Sequence, residues 1–343
     1  MSQPNKDANI GEKYPKLIDS FGRKITYLRL SVTDRCNLRC FYCMPQADFN
    51  WMPYENILRF EEIIQLVRVL ACQGVRKIRL TGGEPLVRKD VVRLMGDISN
   101  LEGVEELCLT TNGVALAELA EGLFAIGLRH INISLDTLRR ERFQEITGRD
   151  LFDRVWSGIQ RCIELGFSPI KINFVMIKGK NDDEIADFAL LAARYPIEVR
   201  FIEFMPIGRG SNWGRDYFFS SDQAIELIEK RAGKLVVEQR RPFSGPAELY
   251  SLKGGKGTVG FISPLSHRFC SECNRLRITA DGRLRLCLFS DREILLRQML
   301  RDGIGQKDLA QFLAKAVMKK PARYLAKDYD VPHCDRTMSS IGG

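Results

Sequence analysis

Short β-branched runs alternate with longer amphipathic segments between about residues 25 and 231. Apolar residues recur at helical spacing in FEEIIQLVRVLACQG, LFDRVWSGIQRCIELG and DDEIADFALLAARY. Six consecutive βα units predict an α/β fold with a parallel sheet, closed partly or fully into a barrel. The six predicted strands are YLRLSV (27–32), KIRLT (77–81), ELCLTT (106–111), HINISLD (130–136), IKINFVM (170–176) and IEVRFIEFM (197–205).

A polar or charged residue interrupts most of these strands. Strand alternation places these residues opposite the apolar face formed by residues such as Leu28 and Ile78. The lumen of an ordinary eight-stranded barrel is packed with branched apolar side chains. Inward charges therefore indicate a wide, incomplete (β/α)6 barrel around an anionic ligand, with solvated edge strands as the alternative. The residues concerned are Arg29, Arg79, Thr110, Ser134, Lys171 and Arg200.

The pattern changes after residue 240. A Pro/Gly-marked junction, short β-like pieces and a helical stretch near 291–325 predict a smaller C-terminal module over 241–343, packed on a barrel of residues 20–240. Residues 1–19 are predicted to form a flexible polar leader, because they lack the apolar segment of a secretory signal. No stretch of about 18 apolar residues predicts a membrane span. We expect a cytoplasmic protein.

The chain carries 52 Lys and Arg against 43 Asp and Glu, a net charge of +9. This excess fits a solvated basic surface or a sequence-independent nucleic-acid footprint, although no block of consecutive basic residues marks a binding tail. Ten cysteines in a non-secreted chain argue against a disulfide framework. Six of them form two tight groups, whereas the scattered ones are predicted to be buried or incidental thiols: Cys72, Cys108, Cys162 and Cys334.

The first cysteine group is CNLRCFYC, a C-x3-C-x2-C pattern of Cys36, Cys40 and Cys43 directly after the first strand. Catalytic residues of βα barrels lie at this end of the strands. Structural zinc takes four ligands, whereas a cubane cluster held by three thiolates leaves one iron open to a ligand. TGGEP (81–85) directly follows the second strand, and its glycines allow close backbone approach to a bound molecule.

The second group follows C-x2-C-x13-C and consists of Cys270, Cys273 and Cys287. His267 could complete a four-ligand zinc site, so the spacing alone leaves both zinc and an iron–sulfur cluster open. Within this group NRLR places Arg275 and Arg277 on one face of an extended segment. Paired guanidiniums at this spacing suit a polyphosphate, although a salt-bridged surface hairpin would have the same pattern.

The C-x3-C-x2-C motif with an aromatic residue before its last cysteine resembles the radical S-adenosylmethionine (SAM) superfamily. This resemblance implies that the first triad holds a [4Fe–4S] cluster whose open iron chelates SAM, the source of a 5′-deoxyadenosyl radical. It also implies that the second triad holds a second [4Fe–4S] cluster. The SAM contacts implied by the resemblance are Tyr42, Gly83, Ser134 and Met205.

From about residue 20 onward the chain is similar to the GTP 3′,8-cyclase family of molybdenum cofactor biosynthesis. The motifs are LRLSVTDRCNLRCFYCMP, KIRLTGGEPL, TTNG, INISLD, RFIEFMP, FCSECNRLR, CLF and a terminal GG. The resemblance implies a lyase in which the radical removes the C3′ hydrogen of GTP and C3′ then adds to guanine C8. It implies a catalytic set of Arg275, Arg277, Gly342 and Gly343. The implied GTP contacts are Arg29, Arg79, Thr110, Lys171, Arg275, Leu276 and Arg277.

The same resemblance implies a flavodoxin- or ferredoxin-like electron donor and a downstream cyclic pyranopterin monophosphate synthase. A homodimer is possible, and neither a nucleic acid nor a membrane is expected as a partner. Two other functions remain open on sequence. One is another two-cluster radical SAM enzyme, for example one that modifies peptides. The other, from a different class, is a basic, zinc-stabilised nucleic-acid-binding protein.

Overall fold

Residues 14–44, 51–208, 213–239, 245–324 and 336–342 are described by a computed structural model of the chain. All six strands predicted from the sequence are present, and they are the first six strands in chain order. The strands are β1 (Tyr27–Ser31), β2 (Lys77–Thr81), β3 (Glu106–Thr111), β4 (His130–Ser134), β5 (Ile170–Met176), β6 (Ile197–Glu203), β7 (Leu235–Glu238), β8 (Glu248–Leu252), β9 (Thr258–Ile262), β10 (Arg275–Ile278), β11 (Arg283–Arg285) and β12 (Glu293–Leu295).

Helices cover the outer face of the sheet and alternate with β1 to β6. Their apolar faces carry the helical spacing predicted from the sequence. The helices are α1 (Phe60–Cys72), α2 (Val91–Ser99), α3 (Leu116–Ala125), α4 (Arg140–Thr147), α5 (Phe152–Glu164), α6 (Ile185–Arg194), α7 (Ser221–Ala232), α8 (Arg297–Arg301), α9 (Gln306–Val317) and α10 (Met338–Ile341). Among the described residues, no helix is both long enough and apolar enough to cross a membrane.

The twelve strands form one sheet in the order β12-β11-β10-β1-β2-β3-β4-β5-β6-β9-β8-β7. The strands from β10 through β1–β6 to β9 run parallel to their neighbours. The outer strands at both edges are antiparallel. Over the described residues the order ends in two separate edges, so the six βα units form the incomplete barrel predicted from the charged strands.

The region after residue 240 is continuous with this barrel. β9 pairs with β6 at one side, and β10 pairs with β1 at the other. A module that only packs on the barrel would leave both edges of the six-stranded sheet with unpaired backbone groups. The C-terminal region supplies the missing partners, and this role as a sheet extension at both edges was not foreseen from the sequence.

The N-terminal leader is shorter than predicted. Leu17 is buried in the main core, and Ile18 forms a β-bridge with Lys24. The buried carboxylate of Asp19 accepts a hydrogen bond of 2.6 Å from Arg23 Nε. The prediction of a flexible leader up to residue 19 is therefore wrong for residues 17–19, because an apolar anchor and a buried ion pair fix them. Residues 1–13 lie outside the described residues.

The apolar faces of the strands build the core. The side chains of Leu28, Leu30, Ile78 and Leu80 are fully buried against the helices. Burial of each such side chain contributes about 1.5–3 kcal/mol to folding. Strand alternation then leaves the opposite face of β1 and β2, with its arginines, directed into the lumen.

Candidate functional site

One cavity inside the barrel is lined by both cysteine groups and by most of the predicted ligand contacts. Each lining residue from a strand lies on its lumen-facing side or at its end, as alternation predicts. The predicted residues that line the cavity are Cys36, Cys40, Cys43, Cys270, Cys273, Cys287, Tyr42, Gly83, Ser134, Met205, Arg29, Arg79, Thr110, Arg275 and Arg277.

The two triads lie at opposite ends of β1. Tyr27, the first residue of β1, is in register with Arg275, which follows Cys273 by two residues. The first triad instead follows Ser31 at the other end of the strand. At about 3.3 Å per residue, the strand places roughly 13 Å between these two levels. A molecule in the lumen therefore has one triad on each side of it.

Three arginines stand side by side between the triads. Arg29 is in register with Arg277 on β10 and with Arg79 on β2. Like charges in direct cross-strand positions destabilise a sheet. Burial, together with the positive charge of Arg79, lowers the pKa of Arg29 to about 10. This row concentrates positive charge on one wall of the cavity.

Arg79 and Arg277 are held in place by neutral oxygens. Arg79 Nε donates to the Tyr27 hydroxyl at 2.6 Å, and its Nη1 donates to the carbonyl of Leu109 at 3.0 Å. Arg277 Nη1 donates to the carbonyl of Gly342 at 2.8 Å. These contacts orient the guanidiniums without neutralising their charge, so the charge remains available to a ligand.

The C-terminal segment reaches the lumen. Ile341 is buried, and Ser339 lines the cavity. Gly342 has φ +75°, and a Cβ at this position would lie 2.5 Å from Thr81 Oγ1 and 3.1 Å from Ser31 Cβ. The position accepts only glycine without local rearrangement. The catalytic role implied for Gly342 stays a prediction, and Gly343 and Cys334 lie outside the described residues.

The first triad is buried among hydrogen-bond donors. Leu38 N donates to Cys36 Sγ at 3.4 Å, and Asn112 Nδ2 lies 3.7 Å from the same sulfur. Burial raises the pKa of Cys36 to about 11 and that of Cys43 to about 12. Thiolates in such a place require a metal to stabilise them. Three thiols with N–H donors to sulfur are a donor set that fits a [4Fe–4S] cluster.

The glycine-rich segment after β2 is pressed against the cysteine loop. A Cβ on Gly83 would collide with the carbonyls of Asp34 and Arg35. Glu84 accepts hydrogen bonds from Asn112 N at 2.6 Å and from Thr111 Oγ1 at 2.8 Å. Burial raises the pKa of Glu84 to about 7. TGGEP, TTNG and the first triad are thus one connected unit.

Tyr42 is oriented by a buried carboxylate. Its hydroxyl donates to Asp136 Oδ2 at 2.5 Å, and Val175 N donates to Asp136 Oδ1 at 2.8 Å. Burial raises the pKa of Asp136 to about 6. Asp136 therefore fixes the position of the aromatic ring beside the first triad.

The second triad lies among cations. Burial disfavours the Cys273 thiolate, but the charges of Arg275 and Lys320 outweigh it and lower the pKa of Cys273 to about 7. His267 points elsewhere, because its Nε2 lies 3.0 Å from Asp222 Oδ1. The four-ligand zinc site with His267 is therefore not formed. Three thiols next to cations fit a second [4Fe–4S] cluster.

Two of the predicted GTP contacts do not line the cavity. Leu276 is fully buried in the main core, on the face of β10 opposite its two arginines. Its side chain cannot reach a ligand in the lumen, and the prediction holds at most for its backbone. Lys171 is on the lumen face but buried, with its Nζ 3.9 Å from Glu198 Oε2. The side chain does not line the cavity, so its charge can affect a ligand there only through the residues that do.

A third group of metal-capable side chains lies at the start of β3 and β4. Glu106, Cys108 and His130 offer ligand atoms within 4.8 Å of one another, which neither triad does among the described residues. Glu106 Oε1 accepts from Lys77 Nζ at 2.6 Å and is 2.5 Å from His130 Nδ1. The positive charge of Lys77 at this distance opposes a metal ion, so the group forms a charged hydrogen-bond cluster.

Several residues that shape the cavity were not assigned by sequence reasoning. Lys77 lines it and adds to its positive charge. Arg200, which was predicted to face inward but was not assigned as a ligand contact, lines it too. The alternation that identified Arg29 applies to both, and Lys77 lies two residues before Arg79. Lys320 also lines the cavity. It lies just after α9, and no motif marks it in the sequence.

Two family models match consecutive parts of the chain. A model described as the Radical SAM superfamily matches residues 30–192. A model described as Molybdenum Cofactor Synthesis C matches residues 197–326. The boundary between the two matches falls between α6 and β6.

The chain is also similar to curated proteins over nearly its whole length. A GTP 3′,8-cyclase of Moorella thermoacetica is 48% identical over 331 residues, covering 95% of this chain and 99% of that protein. A GTP 3′,8-cyclase of Heliobacterium modesticaldum is 46% identical over 327 residues, covering 95% of this chain and 100% of that protein.

Among solved structures, Streptococcus suis SuiB bound to S-adenosylmethionine is similar to this chain in fold. It has a TM-score of 0.59 and 16% identity, and the match covers 90% of this chain and 68% of that one. The cavity with its two triads, the two family models and the full-length relatives lead to the same assignment. The chain is a radical SAM enzyme that belongs to the GTP 3′,8-cyclase family.

Proposed function

We propose that this chain converts GTP to 3′,8-cyclo-7,8-dihydro-GTP in the first step of molybdenum cofactor biosynthesis. The row of Arg277, Arg29 and Arg79 between the two triads is the observation that carries this proposal. Three adjacent cations, of which Arg79 and Arg277 are buried and Arg29 is half-buried, call for a ligand with several negative charges, which a triphosphate has. The relatives named GTP 3′,8-cyclase support the same substrate.

Cys36, Cys40 and Cys43 would hold the first [4Fe–4S] cluster, and Cys270, Cys273 and Cys287 the second. When bound, the first cluster and SAM supply the radical that removes the C3′ hydrogen of GTP, after which C3′ adds to C8 and reduction completes the product. The residues proposed to bind SAM, all of which line the cavity, are Tyr42, Gly83, Ser134 and Met205.

The polypeptide contributes position and charge. Arg29, Arg79 and Arg277 bind the triphosphate through charge-assisted hydrogen bonds, and Thr110 accepts from Arg79 Nη1 at 3.3 Å. The guanine then lies toward the second triad, beside Arg275. Holding C8 near C3′ in this way can lower the barrier by several kcal/mol, about 7–11 at best.

The proposed function also has partner proteins and a cellular location. The reaction consumes electrons, so a flavodoxin- or ferredoxin-like protein is the proposed donor. A cyclic pyranopterin monophosphate synthase would take the product, and the enzyme itself could act as a homodimer. Reduced thiols at both triads favour the cytoplasm, where disulfides are rare.

Anaerobic turnover tests the proposed function directly. The reconstituted chain is incubated with SAM, a reductant and GTP, and 5′-deoxyadenosine and cyclised nucleotide are quantified together. Both products should form in a one-to-one ratio and only when GTP is present. Formation of 5′-deoxyadenosine at the same rate without GTP, or only with a peptide, would contradict the proposal.

Substitution of the arginine row sharpens this test. Each of Arg29→Ala, Arg79→Ala and Arg277→Ala removes charge-assisted bonds worth about 1.5–3 kcal/mol, so kcat/KM for GTP should fall roughly 10- to 100-fold. SAM binding should not change. Arg140→Ala is the control, because Arg140 lies on α4 and forms an exposed ion pair with Asp150. An equal loss of kcat/KM in Arg140→Ala would show that the arginine row is not the binding site of the substrate.

A further inference from the structure

Lys320 is a buried cation beside the second triad. Its side chain follows α9 and is almost fully buried, with 3% of the residue exposed. Nζ donates to the carbonyl of Arg275 at 2.9 Å and also to the carbonyl of Leu286. Arg275 follows Cys273 by two residues, and Leu286 directly precedes Cys287. The ammonium therefore joins the two backbone segments that carry the triad.

A buried ammonium is costly unless it meets an opposite charge. Among the described residues, no carboxylate lies within 4.0 Å of Lys320 Nζ, and its hydrogen-bond acceptors are neutral carbonyls. The carbonyls that hold its ammonium lie two residues after Cys273 and directly before Cys287, so the thiols of the second triad are the nearby groups that can carry the opposite charge.

The first triad differs in burial, because its cation Arg39, whose Nη1 donates to the carbonyls of Cys36 and Leu38, is exposed. The charged neighbours of Cys36 include Glu84, and those of Cys40 and Cys43 include Asp136. All three thiols have pKa values raised mainly by burial. Lys320 at the second triad is buried, so solvent and salt screen its charge less than that of the exposed Arg39.

We propose that Lys320 is the charge-compensating residue of the second cluster. The inference rests on the second [4Fe–4S] cluster proposed above. Reduction of such a cluster adds a negative charge, and cluster potentials depend on net charge and on the hydrogen bonds around the sulfurs. The fixed ammonium stabilises the reduced form and raises the potential of the second cluster. Lys320 acts through the cluster and its cysteines, so it is a positioning residue.

A redox titration of the full-length, reconstituted protein tests this role. The unsubstituted chain must first bind about eight iron atoms, and the EPR signal lost in Cys270→Ala/Cys273→Ala/Cys287→Ala identifies the second cluster. A chain with about four iron atoms would refute the second cluster itself, which is a different failure from that of Lys320. Lys320→Gln keeps a donor without the charge, and Lys320→Arg keeps the charge.

In Lys320→Gln the midpoint potential of the second cluster should become more negative. A tenfold loss of reduced cluster at a fixed potential corresponds to about 59 mV. Lys320→Arg should retain the original value, and the first cluster should be unchanged in both variants. Lys319→Gln, which removes a neighbouring exposed charge, is the matched control.

Each result decides the proposal. A more negative potential in Lys320→Gln but not in Lys320→Arg supports it. Loss of the second cluster in Lys320→Gln alone also supports it, because the charge is then required to hold the cluster. Unchanged potentials in both variants, or the same change in both, would overturn it and leave Lys320 as a link between two backbone segments.

Discussion

Arg277 and Gly342 meet inside the lumen, where a side chain from a substrate-facing strand binds the backbone of the C-terminal segment. The guanidinium donates to the Gly342 carbonyl at 2.8 Å, and the glycine has no space for a Cβ. Arg277 is also the cross-strand neighbour of Arg29 and a proposed contact of the substrate. The C-terminal segment and the proposed substrate site therefore share one residue.

Substitution of Gly342 should abolish cyclisation while leaving both clusters in place. In Gly342→Ala the new methyl group would lie 2.5 Å from Thr81 Oγ1, so the tail must leave its position beside Arg277. We expect product formation to fall at least tenfold, with iron content and SAM binding unchanged. HPLC of the products and iron analysis measure the two effects.

Gly166→Ala is the control for this substitution. Gly166 also has a positive φ, of +80°, but a Cβ there meets nothing within 4 Å. The control carries the same backbone strain without the crowding. Full activity in Gly342→Ala would show that the tail is not required in this position.

The sequence predicted individual residues best where a period-two pattern applied. Arg29, Arg79 and Arg277 were identified because alternation alone determines which face of a strand a side chain takes. Lys320 and Asp136 could not be identified in this way. Each acts through a partner that is distant in sequence, and a lone charged residue after a helix or strand has no periodic neighbour to compare with.

At the scale of elements, the starts of β2, β3 and β4 are joined by one charged cluster. Lys77, Glu106 and His130 come from three adjacent strands and meet at Glu106 Oε1. Hydrogen bonds with Cys108 and Glu106 raise the pKa of His130 to about 9. Despite burial, hydrogen bonds from His130 and Lys77 hold the pKa of Glu106 near 2.

The stability of the protein should fall as this cluster loses its proton. Because the pKa of His130 rises from 6.5 to about 9 on folding, its contribution is complete below pH 6.5 and is lost as pH rises through 9. His130→Gln should therefore be less stable than the unsubstituted chain by about 1 kcal/mol near pH 6, after allowance for partial exposure. Above about pH 9 the difference should vanish.

Anaerobic thermal unfolding at several pH values measures this difference. His267→Gln is the comparison, because His267 forms an exposed pair with Asp222. Exposed pairs of this kind contribute little to stability. A difference between His130→Gln and the unsubstituted chain that does not vary between pH 6 and pH 9 would contradict the argument.

The strands and helices of the barrel were predictable from the sequence, but the strands that extend its sheet at both edges were not. Six strands with strong β-branched runs, each followed by a helix, gave a clear local signal. β9 and β10 pair with β6 and β1, and β10 is far from β1 in the sequence. Their partners are determined by the open edges of the barrel, and that information is absent from any local window.

At the scale of the whole molecule, Arg23 connects three distant parts of the chain. Its guanidinium binds Asp19, and Nη1 donates to the carbonyl of Cys270 at 2.7 Å. Nη2 donates to the carbonyl of Pro321, next to Lys320, at 2.6 Å. The N-terminal segment thus supports the second triad, although more than 240 residues separate them.

Removal of Arg23 should weaken the second cluster and spare the first. Arg23→Ala removes the charge-assisted bond to Asp19, worth about 1.5–3 kcal/mol, and the bonds to the carbonyls of Cys270 and Pro321, while two backbone N–H groups still donate to Asp19. We expect iron to fall from about eight toward about four atoms per chain, with SAM binding retained. Iron and sulfide analysis and EPR with SAM provide the measurement. Arg140→Ala is again the surface control, and retention of both clusters in Arg23→Ala would refute this connection.

The five residues of β1 have a consequence for substrate selection. This strand is hydrogen-bonded along both sides, so its length cannot change without a shift of the whole sheet. It therefore fixes the distance between the end beside the first triad, where the proposed function has hydrogen removed, and the end beside the second triad, where it has the base bound. A molecule that is too short or too long to reach both ends of the strand cannot react, whatever its individual contacts are. Through β1 the barrel selects its substrate by length as well as by charge.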